Sequence, residues 1–269
     1  MAIIKKKSFI KLTSDKISEN EYLGLGNPDS NILLVGNEKA LGKSDKSIIK
    51  HELDLNVSHW LDIINKFNNL HDPFDKELLN RQNSFEKFNP FNPLLYNTTA
   101  KRVKGKSGHT YYGMNRLINR YEAINNLNPT NIFEESFAAN TFSKVFLTEL
   151  NATPARSSSQ ANFNLKDFRA SSRYKMMTST LGEHFFNSFK TVILYCGKNN
   201  KYVGNIDSQE RLDIIRIFNP NLNHTDLKNT GDIKFYEPRN NGPRVILCRH
   251  LSSGFSNILA NELACLILV

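Results

Sequence analysis

Four short runs of β-branched and aliphatic residues constrain this chain more than any other feature: Asn31–Gly36, Lys144–Leu150, Thr191–Gly197 and Arg244–His250. Their apolar residues are continuous instead of alternating, the pattern of strands covered on both faces. Segments of helical period lie between and after them, at Val57 to Leu70, Tyr112 to Ile124, Thr180 to Lys190, Ser208 to Phe218 and Phe255 to Leu266. Strand alternating with helix implies parallel pairing through right-handed crossovers. The expectation is an α/β fold, one domain over residues 1–269, with a four-stranded parallel sheet whose first and third strands are adjacent and central. Ligands of such sheets bind beyond the carboxyl ends of the strands. That points to Gly36–Lys43, Asn151–Arg156, Gly197–Asn200 and His250–Gly254.

Length and composition fit this reading: 269 residues with 39% apolar content can bury a full core. Lys and Arg exceed Asp and Glu by 35 to 26, a net charge of +9. Such an excess attracts polyanions, although a Lys- and Asn-rich composition also arises from AT-rich coding. The three cysteines, Cys196, Cys248 and Cys265, are far apart and lie in apolar runs, so buried thiols in a reducing, cytoplasmic setting are expected. Met1–Lys7 lacks the apolar core of a signal peptide, and no window reaches the length of a membrane span. The apolar run Leu263–Val269 is expected to dock a last helix into the core. The stretch 71–108, with Phe88-Asn-Pro-Phe-Asn-Pro93 and the basic run Lys101–Lys106, reads as a long, mobile surface insertion.

The first strand runs into Gly36-Asn-Glu-Lys-Ala-Leu-Gly42-Lys43-Ser44, superficially a phosphate-cradling loop. Wrapping a β-phosphate takes four residues between the glycines, and here there are five. No later strand ends in an Asp able to hold magnesium. Nucleotide binding through a phosphate loop is therefore the weakest functional alternative.

The strand-end segments, taken together, carry a resemblance. Leu150-Asn151-Ala152-Thr153-Pro154-Ala155-Arg156, followed by Ser159-Gln-Ala-Asn162, resembles the uracil-DNA glycosylase segment in which an Asn closes the second strand. Arg249-His250-Leu251-Ser252-Ser253-Gly254 is similar to that superfamily's His-Pro-Ser loop, with Leu251 in place of Pro. Phe186–Gly197 looks like its passage from helix to third strand. The resemblance covers residues 30 to 265 and implies a three-layer α/β/α fold of uracil-DNA glycosylase type. Where the family has Gly-Gln-Asp-Pro-Tyr after the first strand, this chain has Gly36-Asn37-Glu38-Lys39-Ala40. The cluster cysteines of some branches are absent, so neither a metal nor another cofactor is expected.

The resemblance implies roles that the chemistry can support. Asn151 would read an extruded base, since an amide offers both donor and acceptor, with Ser252 beside it. His250 would stabilise charge growing on the departing base, and Glu38 would assist water. Lys101, Arg102, Lys104, Lys106 and Arg156 would contact the nucleic-acid backbone. Each residue also has a plainer reading: Asn151 as a turn cap, His250 as a hydrogen-bonded strand-end residue, Glu38 as a solvated loop acid, the basic run as a solvated loop. Tyr111, Tyr112 and Trp60 are expected in the core. A relative that binds nucleic acid or a base-like ligand without catalysis is the principal alternative.

Overall fold

The computed structural model describes residues 6–15, 22–40, 56–67, 109–125, 137–155, 165–195, 209–230, 233–251 and 255–268. The four apolar runs form β2 (Ile32–Ala40), β3 (Val145–Ala155), β4 (Thr191–Leu194) and β7 (Arg244–Leu247). They pair in parallel in the order β3-β2-β4-β7, so the first and third runs are adjacent and central as expected. The register is continuous across the sheet: Leu33 lies opposite Phe146 on one side and Val192 on the other, and Val192 opposite Val245.

A four-stranded sheet is an underestimate. Three antiparallel strands extend it to seven: β1 (Leu25–Gly26) on β3, β6 (Ile233–Tyr236) on β7, and β5 (Leu227–Thr230) on β6. Two-residue β1 carries no periodic signal, and β5 is a polar, largely exposed edge strand held by backbone pairing to β6, by the Lys228–Glu237 ion pair at 3.1 Å and by Leu227, half-buried against the core.

Nine α-helices are present among the described residues: α1 (Lys7–Ser14), α2 (Asn56–Phe67), α3 (His109–Ile124), α4 (Phe137–Lys144), α5 (Leu165–Ala170), α6 (Ser172–Thr178), α7 (Thr180–Phe186), α8 (Gln209–Arg216) and α9 (Asn257–Cys265). The five helical segments expected from periodicity correspond to α2, α3, α7, α8 and α9. Serines start several of them: the side chains of Ser171, Ser179 and Ser256 accept from the amides of Tyr174, Gly182 and Leu259.

Because neighbouring strand residues point to opposite faces, the continuous runs feed two cores. Leu33, Val35, Phe146, Val192 and Leu194 pack with Phe9, Trp60, Met176 and Phe185 from α1, α2, α6 and α7. Ile32, Leu34, Leu147, Ile193 and Ile246 pack with Met114, Leu117, Phe142 and Leu263 from α3, α4 and α9. Helices thus cover both faces. Trp60 is fully buried, its ring 4.9 Å from that of Phe9, and its indole N–H donates to the carbonyl of Gly24 at 3.0 Å. It is a core residue, as expected; the side chains of Tyr111 and Tyr112 lie outside the described residues.

The apolar run near the carboxyl end docks as expected, with Leu263, Ala264 and Ile267 buried. Cys265 corrects the expectation of buried thiols: it is exposed, on the outward side of α9, while Cys248 is buried. Helical periodicity puts Ala264 and Leu263 inward, so the residue next to them turns out. Cys196 and the 71–108 stretch lie outside the described residues. None of the described helices is long and apolar enough to cross a membrane.

Candidate functional site

The carboxyl ends of the four parallel strands are uneven. β4 and β7 stop at Leu194 and Leu247, whereas β2 and β3 stay paired to Ala40 and Ala155. Gly36–Ala40 and Asn151–Ala155 are therefore strand, which corrects the expectation that they are loops. Glu38 is the register partner of Asn151, and the register then shifts so that Ala40 meets Ala155. Between those pairs β3 holds two more residues than β2, a bulge of the kind that re-aims a strand end, and Pro154 falls where an amide donor is dispensable.

Two residues before the Glu38–Asn151 pair, a row of residues crosses all four strands. Gly36 is opposite Glu149. Tyr195 follows the Val35–Leu194 pair, its amide donating to the Val35 carbonyl at 3.0 Å. Cys248 follows the Leu194–Leu247 pair, its amide donating to the Leu194 carbonyl at 3.1 Å. Glu149, Tyr195 and Cys248 are all buried. Gly36 is the opening in this row: a β-carbon there would overlap Glu149 Oε2 and come within 2.6 Å of the Tyr195 hydroxyl oxygen. The carboxylate and the phenol therefore converge above a residue with no side chain. Burial pushes the Cys248 thiol up to about 12, so it stays a neutral S–H.

His250 lies three residues past β7, half-buried, with its ring edge-on to Tyr195 at a centroid distance of 5.5 Å and an interplanar angle of 68°. Its pKa is held below the ordinary 6.5 by burial, which disfavours the imidazolium. Helix α3 fixes this segment. Gly113 approaches so closely that a β-carbon would overlap the Leu251 carbonyl, and the Arg116 guanidinium donates to the Phe255 carbonyl. Glycine is needed at 113 for contact, not for turning.

Behind β3, on the opposite face, Arg173 of α6 is 3% exposed and aims its guanidinium at backbone. Nη2 donates to the Glu149 carbonyl at 2.7 Å and to Thr148 Oγ1 at 2.6 Å, Nε to the same carbonyl at 3.1 Å, and Nη1 to the Tyr22 carbonyl. Thr148 passes its own proton to the Leu23 carbonyl at 2.8 Å. A buried cation thereby ties down the strand carrying Glu149 and Asn151.

Of the residues singled out from sequence, Glu38 and Asn151 are brought together as register partners and His250 stands at the end of β7. Ser252, Lys101, Arg102, Lys104, Lys106 and Arg156 lie outside the described residues. Sequence reasoning passed over Glu149, Tyr195 and Arg173. Glu149 did carry a signal: a carboxylate inside an otherwise apolar run of a doubly covered strand must have a reason to be buried. Among the described residues, no three His, Cys, Asp or Glu side chains gather as a metal site would require.

Compared with protein-family models, with curated proteins and with solved structures, the chain finds no match. The strand ends themselves are what bears on its chemistry.

Proposed function

We propose that this protein is a uracil-DNA glycosylase-like hydrolase that binds DNA and cleaves the N-glycosidic bond of uracil or a damaged base. The observation that carries this reading is the pairing of Glu38 with Asn151 at the ends of the two strands that run on past the sheet, with His250 after the fourth parallel strand. The parallel core also has the second-first-third-fourth order, which in such sheets opens a crevice between the first and third strands. In this reading the three-layer α/β/α arrangement is of the glycosylase type.

Each residue has a definite task. Asn151 reads the flipped base through an amide donor and acceptor, and Ser252 contributes a hydroxyl to base binding. His250, kept neutral by burial, donates one N–H to the base oxygen on which negative charge grows. Glu38 orients water toward the sugar carbon and offsets its positive charge. Lys101, Arg102, Lys104, Lys106 and Arg156 supply backbone contacts, in keeping with the net +9. The protein would do this in a reducing, cytoplasmic setting without metal.

The phosphate-loop reading is disfavoured at Gly36, which is strand and has the Glu149 carboxylate beside it, where a phosphate would be repelled. A binding relative without catalysis remains the alternative, favoured by the absence of the family's Pro and Tyr after Gly36. A panel of oligonucleotides carrying single modified bases separates the two. The enzyme leaves alkali-labile abasic sites without added metal or nucleotide; the binding relative shows salt-sensitive affinity and leaves every strand intact. Absence of DNA binding at low salt removes both.

A further inference from the structure

We propose that Asn241, at the tip of the β6–β7 hairpin, is a site of spontaneous deamidation whose pace is set by the opening of its turn. Asn241-Gly242 is the one place in the 269 residues where glycine follows asparagine. A glycine has no β-carbon to obstruct the approach of its own amide nitrogen to the side chain before it. The hairpin carries this pair out to solvent: Pro238, Arg239, Asn240 and Asn241 are exposed, and Gly242 is half-buried. Asn240 and Asn241 lie in the left-handed region, at φ 48° and 62°, as the central residues of a tight hairpin turn. The Gly242 amide closes that turn by donating to the Arg239 carbonyl at 2.8 Å.

The reaction needs only water. The Gly242 nitrogen attacks Cγ of Asn241, the Cγ–Nδ2 bond breaks, and Nδ2 leaves as ammonia with the proton that the Gly242 amide gives up. Water then opens the cyclic imide. Breakage of the bond from nitrogen to Cγ leaves aspartate; breakage of the bond from nitrogen to the main-chain carbonyl carbon leaves isoaspartate. In the closed turn the Gly242 proton is engaged by the Arg239 carbonyl, so conversion waits for the hairpin tip to open. The two products strain the support beneath the turn differently. A β-carbon at Gly242 would come within 2.6 Å of the Asn219 side chain, and Asn219, fully buried, donates to the Pro243 carbonyl at 3.0 Å. Aspartate keeps the length of the main chain. Isoaspartate adds a carbon to it directly before these contacts, close to the Tyr236–Val245 pair that joins β6 to the parallel core.

The test ages the full native chain in mildly alkaline buffer beside the same chain unfolded in guanidinium. Peptide mapping by mass spectrometry reads conversion of amide to acid, and labelling by an isoaspartyl methyltransferase reads the isomer. Asn187, followed by Ser188, and exposed Asn223, followed by His224, are internal references. Asn241 should convert ahead of both in the native chain and yield both products. In guanidinium it should convert at least roughly 2-fold faster, the factor for release of one hydrogen bond. Asn241→Gln, whose longer amide cannot close the same ring, should lose conversion and labelling in this peptide. Native-state conversion at Asn187 or Asn223 ahead of Asn241, or labelling that persists in Asn241→Gln, overturns the site. Equal rates in the folded and unfolded chain overturn its control by the turn.

Discussion

Replacing Arg173 with Met tests whether the end of β3 is held from behind. Methionine keeps an apolar stem at this buried position but removes every donor. Three acceptors then lose their partner: the carbonyls of Glu149 and Tyr22 and the hydroxyl oxygen of Thr148. A buried acceptor left unsatisfied costs about 1–3 kcal/mol. Against this stands relief from burying a guanidinium, itself worth several kcal/mol in a dry interior. The expected net loss is about 2–4 kcal/mol, a sizeable part of the roughly 5–15 kcal/mol that separates folded from unfolded domains. Urea denaturation followed by tryptophan fluorescence measures it, since Trp60 donates to the Gly24 carbonyl in the segment that Tyr22 begins. Thr148→Val, which removes one donor and one acceptor of the same network, should lose less. A loss below about 1 kcal/mol for Arg173→Met would refute the claim that these bonds outweigh the buried charge.

Further outcomes concern the titratable groups. His250 is shifted down on folding, so the unfolded chain binds a proton that the folded chain refuses. Stability should therefore be fully present above pH 6.5 and decline as pH falls from there toward the folded pKa, and His250→Gln should flatten that slope in denaturation curves spanning the same range. Lys6, whose Nζ sits 3.6 Å above the Phe189 ring and donates to the Ser30 carbonyl, falls from 10.5 to about 8 on burial. Stability should rise with pH between those values, and mass-spectrometric mapping after brief acylation near pH 8 should find Lys6 labelled more per exposed area than Lys190. Of the two described cysteines, Cys265 should react with a thiol reagent in the native protein and Cys248 only after unfolding; equal rates would contradict the buried, neutral thiol.

How much of this was legible beforehand depended on the kind of signal. The parallel core was readable because apolar residues such as Ile32–Val35 and Val245–Leu247 run unbroken, and a short unbroken run of that kind suits a strand covered on both faces. The outer strands were not: Leu227–Thr230 and Leu25–Gly26 each place a single leucine against the core, too little for an apolar run or an alternation to mark them. Glu38, Asn151 and His250 could be picked out because strand ends can be located and polar residues there stand out. Their mutual geometry could not, since the continuation of β2 and β3 to Ala40 and Ala155 runs through Lys39 and Pro154, residues that read as loop. Glu149 and Tyr195 escaped notice because partnership across strands depends on register, and Arg173 because its partners are backbone carbonyls.

The central claim is that His250 acts on a departing base, and single-turnover cleavage of an oligonucleotide bearing one modified base measures this most directly. Wild-type protein should yield an abasic, alkali-labile product without metal. His250→Ala should slow that step by roughly 10²–10³-fold, as for loss of one preorganised charge-stabilising donor, with the circular dichroism spectrum unchanged. Glu38→Gln should slow it as well if the β2 extension positions water, and Asn151→Asp should weaken substrate recognition because the amide donor is gone. Equal rates for wild type and His250→Ala, or intact strands across the whole panel, would contradict the account and leave a DNA-binding relative in its place.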